Sequence, residues 1–274
     1  MSRLFVPALV AATAVVVAFL LLPLLALFLR ISPGTLFAQL ANPVARDALL
    51  VSFKTSAIAH AFVLLIGTPA AYLLATRRFR GRTLLITALE LPLVLPPAVA
   101  GIGLLAAFGR RGLLGGTFEV LGISIPFTQA AVVLAVIFVS SPFYLRWGIA
   151  AFASVDQQLL DASRTLGAGP ARTFRRVALP LAAGGLGVAS SLAFARGLGE
   201  FGATIMFAGS VRGITQTLPL AIYAELDVNF NVALAVGALL VLVSLAVLLA
   251  VKLIPSWTRF PSTSFTLSAP SGSK

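Results

Sequence analysis

Long apolar runs without any charge restrict this chain more than any other feature of its sequence. The first run, Val6 to Leu29, contains no charged residue. As a helix it would extend about 36 Å, which is enough to cross the hydrocarbon core of a bilayer. Inside a bilayer the backbone N–H and C=O groups need partners from the protein itself, so spanning segments are helices or closed barrels. The run is longer than the apolar region of a signal peptide and lacks its small-residue cleavage site. A retained first membrane helix is therefore predicted.

Further apolar runs follow, and the composition agrees with a membrane location. Hydrophobic residues make up 59% of the chain and charged residues 10%, and the mean hydropathy is +1.04. A soluble domain usually carries about 25% charged residues. The sequence predicts an all-α polytopic membrane protein with about six transmembrane helices in one domain, residues 1–255. The Ser-, Thr- and Pro-rich residues 256–274 are predicted to be a flexible C-terminal tail. The predicted spans are residues 6–29, 53–75, 84–107, 128–149, 177–207 and 230–253.

Two of the predicted spans contain residues that interrupt helices. The third carries Pro92, Pro96 and Pro97, and the fifth is rich in glycine and too long for a simple span. Proline removes a backbone donor and clashes with the preceding turn. Such interruptions persist in a bilayer only where protein or a water-lined cavity satisfies the backbone. The third span is therefore either an ordinary kinked helix or a helix that lines a pathway, and the fifth is predicted to be kinked or broken.

The positive charges are divided unequally between the two sides of the predicted membrane domain. One set of loops and span ends holds twelve Lys and Arg residues, and the opposite set holds five. Loops rich in Lys and Arg stay in the cytoplasm, so both termini and the loop at about 151–180 are predicted to be cytoplasmic. This distribution attributes the net charge of +12 to topology and contact with lipid headgroups, without a nucleic-acid partner. The richer set is Arg3, Arg77, Arg78, Arg80, Arg82, Arg164, Arg172, Arg175, Arg176, Lys252, Arg259 and Lys274. The poorer set is Arg30, Arg46, Arg110, Arg111 and Arg212.

Residue patterns typical of catalysis are missing from the sequence. It has no cysteine and one histidine, His60, which lies in an apolar run where a structural role is expected. It has no G-x-x-x-x-G-K-[ST] phosphate loop, so it is not expected to hydrolyse ATP. An intramembrane enzyme would need a nucleophile with a base, or metal ligands, at membrane depth. The chain is predicted not to be an enzyme, with no catalytic residue, no metal site and no cofactor of its own.

The polar loop before the fifth span contains signals for two short helices. Asp156 is suited to cap a helix that starts at Gln157, because its carboxylate can accept from first-turn amides. Gly167 can end that helix in a left-handed turn. Gly169-Pro170 then suits the cap and first position of a second helix. Two short helices at an angle would form a protruding knob.

The loop reads Asp161-Ala162-Ser163, then three residues to Gly167, then nine residues to Val177-Ala178-Leu179-Pro180. This spacing resembles the ATPase-docking loop of ABC-importer permeases. Asp161, Ser163 and Val177 depart mildly from the Glu, Ala and Ile that are usual in that family. Small side chains would allow close approach by a partner. The resemblance implies an ATPase contact surface formed by Asp161, Ala162, Ser163, Gly167, Leu179 and Pro180.

A second resemblance concerns the fifth span and the segment after it. Residues 194–209 and 215–223 are similar to those of molybdate permeases, whereas the first span and the tail are not diagnostic. The family implies a type I ABC importer permease that forms a homodimer of six-helix subunits in the bacterial inner membrane. Two ATPase subunits would use ATP and Mg²⁺, and a periplasmic or extracellular binding protein would deliver molybdate or tungstate. A sulfate or thiosulfate permease of the same architecture is the alternative.

The fifth span also carries the candidate pathway residues. A charge inside a membrane helix needs a role or a partner, and Arg196 and Glu200 are spaced to pair. The pair either pins the span to its neighbours or takes part in gating, and nearby glycines permit close helix contact or a local hinge. Hydroxyl and amide groups near the span end either serve anion passage or satisfy the backbone. The candidates are Arg196, Gly199, Glu200, Gly202, Thr204, Thr215, Gln216 and Thr217.

Overall fold

The computed structural model describes residues 5–253, and every regular element in that part of the chain is a helix. The predicted flexible tail, residues 256–274, lies outside the described residues. The first seven helices are α1 (Phe5–Leu29), α2 (Pro33–Leu40), α3 (Pro43–Thr76), α4 (Arg82–Glu90), α5 (Pro97–Phe108), α6 (Gly115–Val120) and α7 (Gln129–Ala153). They are followed by α8 (Gln157–Thr165), α9 (Pro170–Thr173), α10 (Leu179–Leu198), α11 (Gly202–Ala208), α12 (Leu218–Glu225) and α13 (Phe230–Leu253).

Helix α7 lies at the centre of the bundle and packs along both α3 and α10. Tyr144 and Leu186 belong to one buried cluster in this region, and Val136 and Phe207 to another that joins α7 to α5 and α11. A third cluster joins α3 to α12 and α13. Helix α1 has no buried side chain and touches α13 at the edge of the bundle. An all-apolar helix in that position is suited to face lipid.

Small residues bring the central helices close together. A Cβ atom at Gly185 would lie 2.6 Å from Cβ of Ala151, and one at Gly67 would lie 2.7 Å from the ring of Tyr144. Real Cβ atoms do not approach this closely, so α10 and α3 contact α7 only because these positions lack side chains. Packing through small residues is the usual way in which membrane helices associate.

The third predicted span is two helical segments that meet at a sharp bend. Arg82–Leu93 and Pro97–Phe108 lie at 110° to each other. Pro92, Pro96 and Pro97 explain the break, because none of them donates a backbone hydrogen bond and each disfavours the turn before it. Within residues 5–253, five helical stretches are individually long and apolar enough to cross a membrane, and counting this bent pair gives six. The predicted number of spans and the all-helical class are confirmed.

The fifth predicted span is broken near its end, as its glycines indicated. The helical path runs from Pro170 through a π-helical turn, Phe174–Ala178, into α10 and stops at Leu198. Leu179 N–H bonds to the carbonyl of Phe174, five residues back. The wide turn precedes Pro180, whose ring would clash with a carbonyl in a regular helix. After Leu198 the backbone leaves the helix and resumes it at Gly202.

Candidate functional site

The polar loop between α7 and α10 folds as its capping residues indicate. Asp156 Oδ1 accepts a hydrogen bond from Gln158 N at 2.9 Å, so it caps α8. Gly167 adopts a φ of +82°, and the next amide, Ala168 N, bonds to the carbonyl of Ser163 at 3.0 Å. These features terminate α8 in a left-handed turn. Gly169 and Pro170 then form the cap and first position of α9.

Helix α8 packs against the bundle through one buried apolar side chain. Leu160 is 1% exposed and packs in the same cluster as Phe152 and Ala178. Ser163 is half-buried and its hydroxyl lies 3.1 Å from that of Thr173, which links α8 to α9. Leu160 and Thr173 are therefore residues that position the loop and that its spacing pattern did not single out. Leu159 and Leu160 are both apolar, so the sequence could indicate an apolar anchor in α8 but not that Leu160 is buried and Leu159 exposed.

The candidate docking residues divide into an exposed group and a packed group. Asp161, Ala162 and Gly167 are exposed, whereas Ser163 turns toward α9 and Leu179 packs against the bundle cluster. Pro180 is exposed at the start of α10. The Asp161 side chain is 58% exposed, and its Oδ1 accepts from Arg164 Nη1 at 2.7 Å and from Gln157 Nε2 at 3.2 Å. Its charge is therefore shared within α8 while it remains accessible to a partner.

A buried ion pair spans the break between α10 and α11. Arg196 Nη1 lies 2.7 Å from Glu200 Oε2, although the guanidinium N–H is not aimed at that oxygen well enough to make a hydrogen bond. The Glu200 side chain is 1% exposed and that of Arg196 is 29% exposed. Glu200 Oε1 accepts from Ala203 N at 2.7 Å and so caps the first turn of α11.

Each charge of this pair lies at the helix end that stabilises it. Arg196 is in the last turn of α10, where the carbonyl ends favour a cation, and Glu200 precedes the amide end of α11. An Arg followed four residues later by Glu is the weaker order on a continuous helix. Here α10 ends between the two residues, so the weaker interaction of this order on a continuous helix does not arise.

The candidate glycines at the break differ in their surroundings. A Cβ at Gly202 would lie 2.7 Å from Cβ of Pro97, so this glycine permits close contact between α11 and α5. Gly199 is exposed, and its only near neighbour is the Ala195 carbonyl at 3.8 Å. Close packing therefore explains Gly202, whereas no neighbouring helix requires a glycine at 199.

Four buried side-chain oxygens of the candidate pathway residues have no hydrogen-bond partner. Within residues 5–253 they are the only such buried side-chain atoms. One of them, Glu200 Oε2, is ion-paired with Arg196. Buried polar atoms are nearly always satisfied, so the other three indicate water, a ligand or a moving partner. They are Thr204 Oγ1, Gln216 Oε1 and Thr217 Oγ1.

The loop between α11 and α12 is ordered by its own backbone. The carbonyl of Val211 accepts from three amides, those of Ile214, Thr215 and Gln216. Thr215 Oγ1 accepts from Val211 N at 2.9 Å, so this hydroxyl satisfies the backbone. The first amide of α12, Leu218 N, bonds to Ser52 Oγ of α3 at 2.7 Å. Ser52 thus caps α12 from a distant part of the chain, which no local pattern could indicate.

His60 has a structural setting. Its Nε2 lies 2.8 Å from Ser190 Oγ, and its ring meets that of Phe194 edge-on at 5.2 Å, so it links α3 to α10. Among the described residues, no group of three or more His, Cys, Asp or Glu side chains is arranged to hold a metal ion.

Comparisons with known proteins agree with this architecture. A solved bacterial ABC transporter involved in the import of the acidic polysaccharide alginate superposes with a TM-score of 0.70 at 16% identity, over 90% of this chain and 93% of that chain. The chain is 46% identical over 237 residues to the molybdenum transport system permease protein ModB of Mycobacterium tuberculosis, covering 86% of this chain and 89% of that protein. It is 33% identical over 241 residues to the probable sulfate transport system permease protein cysT of Chlorokybus atmophyticus, covering 86% and 84%.

The family itself is established by a match over most of the chain. The fold is that of a type I ABC importer permease. Residues 64–259 match the family described as "Binding-protein-dependent transport system inner membrane component". This chain therefore belongs to the family of binding-protein-dependent transport system inner membrane components.

Proposed function

We propose that this chain is the membrane permease subunit of an ATP-driven importer of molybdate or tungstate. The observation that carries the substrate assignment is the 46% identity to a molybdenum permease over most of both chains, against 33% to a sulfate permease. A sulfate or thiosulfate permease is the second candidate, because the sulfate relative aligns over a similar length.

The assembly that fits this function contains several subunits. Two copies of the chain would form a homodimer in the bacterial inner membrane, with both termini in the cytoplasm. Two ATPase subunits would bind ATP and Mg²⁺, and a periplasmic or extracellular binding protein would deliver the oxyanion. The docking surface proposed for the ATPase is centred on the exposed Asp161, Ala162 and Gly167. Ser163 supports that surface through its contact with Thr173 of α9, and Leu179 through its packing against the bundle, while Pro180 is exposed at the start of α10.

A continuous helical path supports mechanical coupling between the docking loop and the break. Pro170–Leu198 contains 29 residues and as a helix spans about 43 Å. A displacement of the docking loop would move the other end of this helical path, where Arg196 pairs with Glu200. The backbone is not helical between Leu198 and Gly202, so relative movement of α10 and α11 concentrates there. Gly199, which no neighbour constrains, is suited to absorb that movement.

The chemistry of the proposed pathway suits passage of a dianion without trapping it. Arg196 offsets the charge of Glu200, so the break presents little net charge. Thr204 and Thr217 have buried hydroxyls without a hydrogen-bond partner, which can donate to an oxyanion. Gln216 has an amide that donates to Ser210 Oγ at 3.4 Å and could donate to an anion as well. Neutral donors bind an oxyanion less tightly than fixed cations would, and conduction requires both entry and release. Movement at the break would change these contacts between two states, which is what energy coupling requires.

Transport by the complete complex tests the proposed substrate. Proteoliposomes containing the permease, its ATPase and the binding protein are expected to accumulate labelled molybdate only when ATP is supplied. Excess sulfate should leave this uptake intact, and vesicles supplied with ADP serve as the control. Uptake that sulfate abolishes would instead identify a sulfate permease and refute the molybdate assignment.

The docking loop is tested by Gly167→Pro. Proline fixes φ near −65°, whereas Gly167 has a φ of +82°, so the turn after α8 cannot form. We expect at least about tenfold less ATPase to co-purify with the permease, because the loop must adopt another conformation and also loses the bond from Gly167 N to Arg164 O. Gly169→Ala is the matched control, because Gly169 has a φ of −67° and no atom within 4 Å of a Cβ. Normal co-purification with Gly167→Pro would argue against docking through this loop.

The ion pair at the break is tested by Glu200→Gln. The amide oxygen can still cap Ala203 N, but Arg196 loses its partner. Breaking a buried pair costs about 3 kcal/mol at the lower end of the usual range, and Arg196 is 29% exposed. We expect reduced yield and reduced uptake, whereas Asp47→Asn, which breaks the exposed pair with Arg212, should change stability by less than about 1 kcal/mol.

The double variant Arg196→Gln/Glu200→Gln separates the two roles of this pair. Restored yield together with restored uptake would mean that the pair only pins the helices. Restored yield without uptake would place the pair in the gate. Wild-type yield and uptake in Glu200→Gln alone would remove Glu200 from the proposed pathway.

A further inference from the structure

A basic cavity lies between the end of α3 and the docking loop, away from the proposed pathway. Its volume is about 420 Å³. One wall comes from the last turns of α3 and the residue that caps them, and the other from α8 and α9. The lining residues are Tyr72, Leu73, Thr76, Arg77, Gln157, Arg164, Pro170 and Thr173.

The lining has the chemistry of an anion site. It contains two guanidinium groups and an amide but no carboxylate. Arginine binds tetrahedral oxyanions such as phosphate through paired N–H donors in a fixed plane. A cavity with two such groups and no lining acid therefore favours a negatively charged occupant.

Arg77 supplies a charge that the described part of the chain does not neutralise. Its backbone N–H bonds to the carbonyl of Leu73, and the neighbouring carbonyl of Leu74 accepts from Arg82 Nε at 2.7 Å. The carbonyl end of α3 thus already has its own cation in Arg82. Within residues 5–253, Arg77 forms no salt bridge and its side chain makes no hydrogen bond.

Arg164, on the opposite wall, is held by an acid that an anion could replace. Asp161 does not line the cavity, yet its Oδ1 accepts from both Arg164 Nη1 and Gln157 Nε2. All three groups are exposed. Exposed ion pairs contribute only about 0–1 kcal/mol to stability. An anion bound in the cavity can therefore compete with Asp161 for Arg164 and Gln157.

We propose that this cavity binds a tetrahedral oxyanion of the phosphate class between Arg77 and Arg164. The group is either the phosphate of an anionic lipid headgroup or a free oxyanion in solution. When it binds, Arg164 and Gln157 turn from Asp161 toward the cavity and leave the Asp161 carboxylate free. Anion occupancy then changes the charge that α8 presents to the ATPase; this consequence rests on the proposed docking role of Asp161, whereas the anion site does not.

The test uses the permease–ATPase complex in lipid nanodiscs, with thermal unfolding as the readout. In the first arm the nanodiscs contain phosphatidylcholine, and inorganic phosphate replaces chloride at constant ionic strength. In the second arm phosphatidylglycerol is added to the bilayer and phosphate is omitted. A ligand that binds the folded complex raises its unfolding midpoint. Phosphate is used because it probes the anion site without being the proposed transport substrate.

Arg77→Gln is compared with Arg78→Gln, which removes a neighbouring charge that does not line the cavity. We expect Arg77→Gln to raise at least about tenfold the anion concentration needed for the same increase in unfolding midpoint, as for loss of one charge-assisted contact. Arg78→Gln is expected to behave like the unmodified complex. A response in the first arm identifies a free oxyanion, and a response only in the second identifies a lipid phosphate. Equal midpoints of the variants in phosphatidylcholine nanodiscs with chloride as the only added anion confirm that both fold.

Two results would overturn the anion site. One is an equal response of Arg77→Gln and Arg78→Gln in both arms, or no response in either arm. The other is a response that appears only after the ATPase is removed, because an ATPase carboxylate would then fill the cavity. Docking is scored separately by ATPase co-purification, so loss of the anion site and loss of the docking role are distinguishable.

Discussion

The contact between Arg196 and Glu200 is the interaction on which the geometry of the fifth span depends. A helix that breaks inside a bilayer exposes carbonyl groups at one end and amides at the next. Glu200 meets the amide end of α11 through Ala203 N, and Arg196 lies in the last turn of α10. The two charges also neutralise each other, so the break persists without an isolated buried ion. The bent third span then packs against the same place, with Pro97 beside Gly202.

The break and the docking loop are the two ends of one helical path. At one end, capping residues and the Leu160 anchor hold a small exposed helix that is suited to a protein partner. At the other end, the path stops at Leu198 beside a segment that is not helical, and Arg196 pairs with Glu200 across it. The π turn before Pro180 keeps the path continuous, because it accommodates a proline that would otherwise kink or break it. The helical path that joins the two ends packs closely along α7 at Gly185.

Local features of this fold follow from the sequence, whereas contacts between distant segments do not. The caps at Asp156 and Gly167 and the break in the fifth span depend on short-range chemistry, and the structure has them where the residues predict. The 110° bend of the third span is different, because prolines indicate a break but not its angle. The bond between Ser52 and Leu218 N joins residues 166 positions apart, and the turn of Ser163 toward Thr173 depends on how α9 packs. The charges, glycines and polar side chains near the end of the fifth span selected the candidate pathway residues, but only the structure divided them into capping, packing and unpaired groups.

The proposed function requires Thr204, Gln216 and Thr217, each with a buried unpaired oxygen, to line the substrate pathway. The chain has no cysteine, so Thr204→Cys, Gln216→Cys and Thr217→Cys can each be labelled by a charged, membrane-impermeant thiol reagent without background from this chain. Ser140→Cys is the control, because Ser140 is buried in α7 and its hydroxyl bonds to Val136 O at 2.6 Å. The account predicts that the three pathway positions react during ATP-driven turnover, that molybdate slows the reaction, and that position 140 stays unreactive. Failure of all three positions to react in any state, or labelling that molybdate does not change, would contradict it.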